Sequence, residues 1–261
     1  IPFGYLAELA RYIPSVKSVL EIIDSAVIDG SILADSLHPA WSILLADNKK
    51  AELQARINQH DTATKVLFAV SVAYAGMLRF LGVEPDVFVG HSTGEINALM
   101  LAGGLKSNCL EDIKIMLKSF DNLYSDTSYT DHLERGTVVL ASGLSEEKIS
   151  KCLNEQIDFF LISDNSPSHR LLFSASHTFD QMAEIVGRYG GFVLPTQLDR
   201  AYHTPLFAEG ADVMRSFYDR FQLKPLNNKV YSCCSAELYP DQPSDQRDLL
   251  AQQWVEPVRF R

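Results

Sequence analysis

"DVFVGHSTGEINALMLAGGL", residues 86–105, places a single serine between two glycines, directly after a short apolar run. Val87, Phe88 and Val89 read as a strand, and Ile96, Ala98, Leu99, Leu101 and Ala102 supply a helix-like run after it. Gly90-His91-Ser92-Thr93-Gly94 is therefore a G-x-S-x-G pattern between a strand and a helix, the context in which such a serine acts as a nucleophile. In that elbow the backbone is strained and the chain doubles back, so only small residues are expected two positions either side of the serine. Gly90 and Gly94 meet the demand. Thr93 would offer its backbone N–H to a developing oxyanion, with the positive end of the following helix aimed at the same place. A glycine-rich tight turn before an ordinary helix satisfies the same pattern, so the reading needs a base and a pocket.

The rest of the chain alternates in a way that predicts an α/β fold. Residues 4–24 read as a helix with Leu6, Leu9, Ala10, Ile13, Val16 and Val19 on one face, and a polar stretch follows. A second helix runs from about Asp61 to Phe80, capped by Asp61 or Thr62, and "GVEP" (82–85) turns into the strand before the serine. After the elbow helix, Gly103-Gly104 is a break, and another helix spans Glu111 to about Tyr124. Residues 137–141 (TVVLA), 157–162 (IDFFLI), 170–174 (RLLFS) and 192–196 (FVLPT) read as strands, the middle two joined by "SDNSPSH". Helices at 145–153 and 178–191 separate them, giving the order β-α-β-β-α-β. The expectation is a hydrolase-like parallel-sheet core built from 1–134 and 203–261, with a ferredoxin-like subdomain inserted at 135–202.

Composition bounds the function. The formal charge of −10 and the lack of a Lys/Arg block argue against nucleic acid or an anionic membrane as partner. The longest apolar run, Val66 to Leu78, falls short of the ~20 residues a spanning helix needs and suits a buried core helix. Cys109, Cys152, Cys233 and Cys234 form no C-x-x-C pair, and adjacent Cys233 and Cys234 are poor candidates for a mutual bridge, so four reduced thiols in a cytoplasmic protein are expected. No signal peptide is visible, and the start at Ile1 suggests a cut-down chain. No metal site is expected.

The base for Ser92 must come from seven histidines. His38, His60, His132, His169 and His177 sit in polar segments that read as loops, and His91 adjoins the serine and would point away from it. His203, in "RAYHTPLF", falls where the insert returns to the main domain; a packed structural role remains equally open for it on these grounds.

Four ordered blocks resemble one family: the acyltransferase domains of polyketide and fatty acid synthases and the free-standing malonyl-CoA:acyl-carrier-protein transacylases. "GHSTGE" (90–95) resembles their G-H-S-x-G-E signature and "AYHTPLF" (201–207) their A-F-H-S-P-L-M block. "NSP" (165–167) is similar to their N-G-P turn, and "QWVEPVRF" (253–260) to Q-L-x-x-P-V-R-F. The resemblance implies a Ser92–His203 dyad, with the Gln253 backbone carbonyl orienting the imidazole and with no carboxylate third member; Asp199 is expected to be solvated. It implies acyl-CoA as substrate, an acyl carrier protein whose phosphopantetheine thiol accepts the acyl group, neighbouring synthase domains such as a ketosynthase, and no bound cofactor. His91, Asn165, Lys118, Ser119, Arg200 and Tyr202 fall at substrate-binding positions. The family's second oxyanion loop would precede Ile1 and its closing strand would follow Arg261, so a parent chain longer at both ends is expected.

Three positions depart from the family pattern. Ser119, beside Lys118, stands where extender-selecting members carry an arginine for the free carboxylate of malonyl groups, and serine cannot make that bidentate contact. An uncharged, starter-type acyl group is therefore expected, with Lys118 or Arg200 as the cations that could still hold a carboxylate. Tyr202 would exclude an α-methyl branch, unless it merely packs. Thr64, in "DTATKVLF" (61–68), replaces a pocket glutamine. The rivals are a malonyl-selective transferase, a thioester hydrolase on the same scaffold, and a non-catalytic domain that docks a carrier protein through Lys118, Arg188 or Arg200.

Overall fold

The computed structural model describes residues 4–26, 46–57, 60–104, 110–125, 134–156 and 158–261. His38, His132 and Cys109 lie outside them. The chain divides into two compact units, one of Ile1–Phe88, Ile96–Asp126 and Leu223–Val230, the other of Val89–Glu95, Thr127–Gln222 and Tyr231–Arg261.

The first unit is mostly helical. The single helix expected at 4–24 is two, α1 (Ala7–Tyr12) and α2 (Pro14–Ala26). Ile13 between them is extended (φ −114°, ψ 105°), because a residue before proline is pushed out of the helical region and Pro14 has no N–H to continue the ladder. Helix α3 (Asp47–Ile57) was hidden in the polar stretch: only Leu53 and Ile57 are buried, too few for a visible apolar stripe. Helix α4 (His60–Phe80) follows, then β1 (Val87–Val89), α5 (Gly94–Leu99), α6 (Leu110–Ser125) and, much later, β6 (Lys229–Tyr231). Helices α2, α4 and α6 pack on one another, with Phe68 edge-on to Phe120 at 5.8 Å.

The helix residues Thr62–Phe80 are long and apolar enough to cross a membrane by length and composition, although the apolar run inside them is Val66–Leu78. Phe68 and Val66 of this helix are fully buried, and Lys65 is inside too, 2.6 Å from Asp121 of α6. A buried lysine paired with a carboxylate on a neighbouring helix is the signature of protein packing rather than of a lipid-facing surface.

After α5 the helix loosens over Met100–Gly104, and Gly103 takes φ 95°. A Cβ there would fall 2.3 Å from the Asn227 side chain, so the break expected at Gly103-Gly104 has both a conformational and a steric cause. Strands β1 and β6 pair in a two-stranded sheet, and the chain passes from the first unit to the second at Val89 and Tyr231.

The second unit holds β2 (Thr137–Ser142), α7 (Glu146–Glu155), β3 (Phe160–Ser166), β4 (His169–Ser174), α8 (Phe179–Arg188) and β5 (Phe192–Pro195). It continues with a short 3₁₀ turn (Pro205–Phe207), α9 (Ala208–Tyr218), α10 (Pro243–Gln252) and β7 (Val258–Arg259). The helices start where the sequence caps them: Ser145 accepts from the Lys148 N–H, and Thr178 and Gln181 form a reciprocal capping box. The sheet order is β5-β2-β4-β3-β7. Its first four strands pair antiparallel, Val139 opposite Leu172 and Ala141 opposite Val193, in the ferredoxin-like order. Helices α7 and α8 bury Ile149, Cys152, Met182 and Val186 against Val139 and Leu172.

The connection between β3 and β4 differs from expectation. β3 runs on to Ser166, so Asn165 is in a strand and only Pro167 and Ser168 make the turn; His169, expected in a loop, opens β4. The extension has a cause outside the local sequence. β7 joins β3 in parallel, Ser163 opposite Val258, and buried Arg170 bonds the Pro167 and Leu144 carbonyls while pairing with Asp164 at 3.1 Å.

Candidate active site

The elbow, His203 and the 253–260 segment all belong to the second unit. At the elbow the Gly94 N–H donates to the His91 carbonyl (2.9 Å) and the Glu95 N–H to the Ser92 carbonyl (2.8 Å), so the turn closes on itself before α5 begins. Ser92 takes φ 55°, a left-handed conformation that costs a non-glycine residue energy and that clusters at functional positions. A Cβ on Gly90 would fall 2.3 Å from the Gly94 carbonyl group and 2.4 Å from the Glu95 nitrogen, so the strand–helix approach demands glycine there. Gly94 differs from expectation: a Cβ on it meets nothing within 4 Å, so no steric demand requires glycine at that position. The crowding is one-sided because Gly90 faces the returning backbone while Gly94 faces open space.

His203 is the histidine brought to Ser92. Its Nε2 is 2.7 Å from Ser92 Oγ, and its Nδ1 is 2.7 Å from the Gln253 carbonyl oxygen. A carbonyl can only accept, so Nδ1 carries the hydrogen and Nε2 presents its lone pair to the serine hydroxyl, which donates. His203 also takes φ 59°, gives its backbone N–H to the Trp254 carbonyl (2.9 Å) and stacks on the Trp254 ring at 5.5 Å. The 253–260 segment thus holds the imidazole by its edge, its face and its main chain. Asp199 stays at the surface with Arg135 and Arg200, each 3.7 Å away.

Burial pulls the His203 imidazole down to about 4; the Gln253 carbonyl works against that fall, and His91 adds to it. The imidazole is therefore neutral, and able to accept a proton, across the neutral range. Because the folded-state value lies below the unfolded ~6.5, the unfolded chain binds the extra proton first as pH falls. His203 therefore costs stability progressively from pH ~6.5 down to ~4, on the order of 3 kcal/mol in total. Acid titration of chemical unfolding should show this loss, and His203→Asn should remove it; an unchanged acid limb in the variant would refute the assignment.

Other predicted site residues fall into place unevenly. His91 Nε2 is 2.8 Å from Asn165 Oδ1, and its ring stands edge-on to Phe260 at 5.0 Å, so these two are brought together. Tyr202 packs against Phe207 and Trp254 at 5.6 and 5.9 Å. Arg200 has Asp199 as its carboxylate. Thr93 lies in the turn just ahead of α5. In the first unit, Ser119 gives its hydroxyl to the Ile115 carbonyl (2.8 Å), Lys118 is exposed and Thr64 is buried. His177 is half-buried beside Ser174, 2.8 Å from its hydroxyl. Among the described residues no group of three His, Cys, Asp or Glu side chains could hold a metal ion.

Glu95 is the residue the sequence reading passed over. It is fully buried, and its carboxylate accepts from the Cys233 N–H and the Tyr239 hydroxyl. Burial raises its pKa, while the bonds from Tyr239, Cys233 and Ser232 oppose the rise. The signal was present in the last letter of "GHSTGE", where an acid follows the G-x-S-x-G pattern at the start of a helix.

A family model described as "Acyl transferase domain" matches residues 18–261. Polyketide biosynthesis protein PksE of Bacillus subtilis is 25% identical over 214 residues, covering 78% of this chain and 27% of its own length. The chain thus spans about a quarter of that relative. Among solved structures, an acyl carrier protein S-malonyltransferase from Vibrio cholerae superposes with a TM-score of 0.79 at 21% identity, covering 99% of this chain and 79% of its own. A type II acyl-carrier protein in complex with its malonyl-transacylase (PlMCAT:AntF) gives 0.81 at 19% identity over 99% and 78%. The fold is theirs: an α/β core with a parallel sheet and a ferredoxin-like subdomain.

Proposed function

The chain belongs to the acyl transferase domain family, and from that premise we propose that it moves an acyl group from a CoA or carrier thioester, through acyl-Ser92, to the phosphopantetheine thiol of an acyl carrier protein. The observation that carries the reading is the 2.7 Å contact between Ser92 Oγ and His203 Nε2, with Nδ1 committed to the Gln253 carbonyl.

In the first half, Ser92 Oγ attacks the thioester carbonyl as its proton passes to His203 Nε2. The carbonyl oxygen becomes an oxyanion, for which the Thr93 amide is one donor. The imidazolium, positive for that moment, is stabilised through Nδ1–H by the Gln253 carbonyl, which does for a dyad what a carboxylate does for a triad. The tetrahedral intermediate collapses, the C–S bond breaks, and the leaving thiolate takes the proton from Nε2. In the second half the carrier thiol gives its proton to Nε2 and attacks the ester carbonyl. The C–Oγ bond breaks, and Ser92 recovers its proton from the imidazolium. A carrier protein is the partner in complex with a malonyl-transacylase of known structure, and we propose the same class of partner here, with synthase domains such as a ketosynthase as neighbours.

An uncharged starter-type acyl group is the substrate we favour. Ser119 stands where a carboxylate-binding arginine is expected and has its hydroxyl on the Ile115 carbonyl, so it offers no cation to a malonyl carboxylate. Intact-mass measurement after incubation with a panel of CoA thioesters tests both layers. Acetyl or longer unbranched acyl groups should load Ser92 about tenfold or more faster than malonyl. Faster malonyl loading would refute the starter-type assignment. Absence of any adduct would favour a carrier-docking domain, and release of free acid without a carrier would favour a hydrolase.

A further inference from the structure

Cys233 is a buried thiol, 2% exposed, that no step of the acyl transfer uses. Burial and the nearby Glu95 push it well above the ordinary thiol range, so it keeps its hydrogen and is a donor. Its Sγ is 3.9 Å from Gln253 Oε1. Its main chain is fixed on both sides: the N–H donates to Glu95, and the carbonyl accepts from the Arg259 N–H at 2.5 Å. Glu95 is tied in turn to the Ser92 carbonyl through its own N–H.

Two paths therefore leave Cys233. One reaches the Ser92 backbone through Glu95, which accepts from the Cys233 N–H and gives its own N–H to the Ser92 carbonyl; the other runs from the thiol to Gln253, whose carbonyl holds His203 Nδ1. Among the described residues the Gln253 Nε2 amide has no partner, so the thiol is what anchors that side chain. Both Ser92 and His203 sit in left-handed backbone, which persists only where the surroundings over-determine it. We infer that Cys233 is a positioning residue for the Ser92–His203 pair, holding the elbow and the His203-bearing segment in register from behind, with Glu95 as its anchor. The inference rests on the reading of Ser92 and His203 as nucleophile and base.

A double-mutant cycle tests it, with labelling of Ser92 by a fluorophosphonate as readout, since that probe needs no knowledge of the natural acyl donor. Cys233→Ala and Gln253→Ala each remove one end of the thiol contact, and Gln253→Ala leaves the backbone carbonyl on His203 in place. Each should slow labelling about tenfold, and the double variant should be no slower than either, because both break the same link. Rescue of thermal stability by a lower assay temperature should not restore the rate. Single variants as fast as the parent, or a double variant whose losses multiply, would overturn the positioning role. A parent that is not labelled at Ser92 would instead overturn the nucleophile assignment itself. Should Cys233→Ala fail to fold, Gln253→Ala alone still decides: a parental rate sinks the inference.

Discussion

Ser92→Ala is expected to abolish the acyl adduct on the intact protein, and His203→Asn to slow its formation by roughly 10²- to 10⁴-fold, the usual worth of a positioned base. Asparagine is the informative substitute because His203 has φ 59°, and asparagine tolerates that backbone better than alanine. The variant keeps a polar group at a site that is 4% exposed, yet lacks the ring that stacks on Trp254, so some loss of stability accompanies the loss of rate. The double variant should be no worse than Ser92→Ala alone, since the two residues act on one step. Stopped-flow acylation at a pH well above the depressed imidazole value, alongside thermal melting, separates the effects. A His203→Asn protein that is folded and loads acyl groups at the parental rate would remove the dyad from the mechanism.

The second large effect is on folding rather than chemistry. Gly90→Ala should cost about 3 kcal/mol or more, because the new Cβ would lie 2.3–2.4 Å from main-chain atoms of Gly94 and Glu95, neither of which can move without opening the elbow. Gly94→Ala should leave the melting temperature at or slightly above the parent's, since its Cβ enters open space at the first position of α5 and alanine is the better helix former. Any activity lost in that variant would then report occupation of the open space by substrate, not damage to the fold. Equal melting temperatures for Gly90→Ala and parent would show that the approach of strand and helix is looser than these distances require.

Much of this architecture was legible because it is written locally. Alternating apolar residues at 137–141 and 170–174 read as strands, Ser145 and Thr178 mark helix starts, and Gly103 marks a break; each signal acts within a turn or two. The serine elbow was legible for the same reason. What misled was also local. Two flanking glycines look alike on paper, but only Gly90 is crowded, and crowding depends on where the returning chain passes. Pro14 ends one helix and opens the next inside a stretch whose apolar face reads as continuous. The polar helix Asp47–Ile57 lacks the apolar periodicity by which helices are recognised.

Residue type and spacing alone determined that a serine stands in a turn between a strand and a helix and that a split β-α-β unit follows it. They left His203 no better than an even choice, and they gave Glu95 and Cys233 no role. The family resemblance supplied the expectation for His203, but only the tertiary structure shows its lone pair aimed at a hydroxyl and a carbonyl on the opposite nitrogen. Both partners of that imidazole, Ser92 and Gln253, come from segments far away along the chain. Their meeting depends on long-range packing that no local pattern encodes.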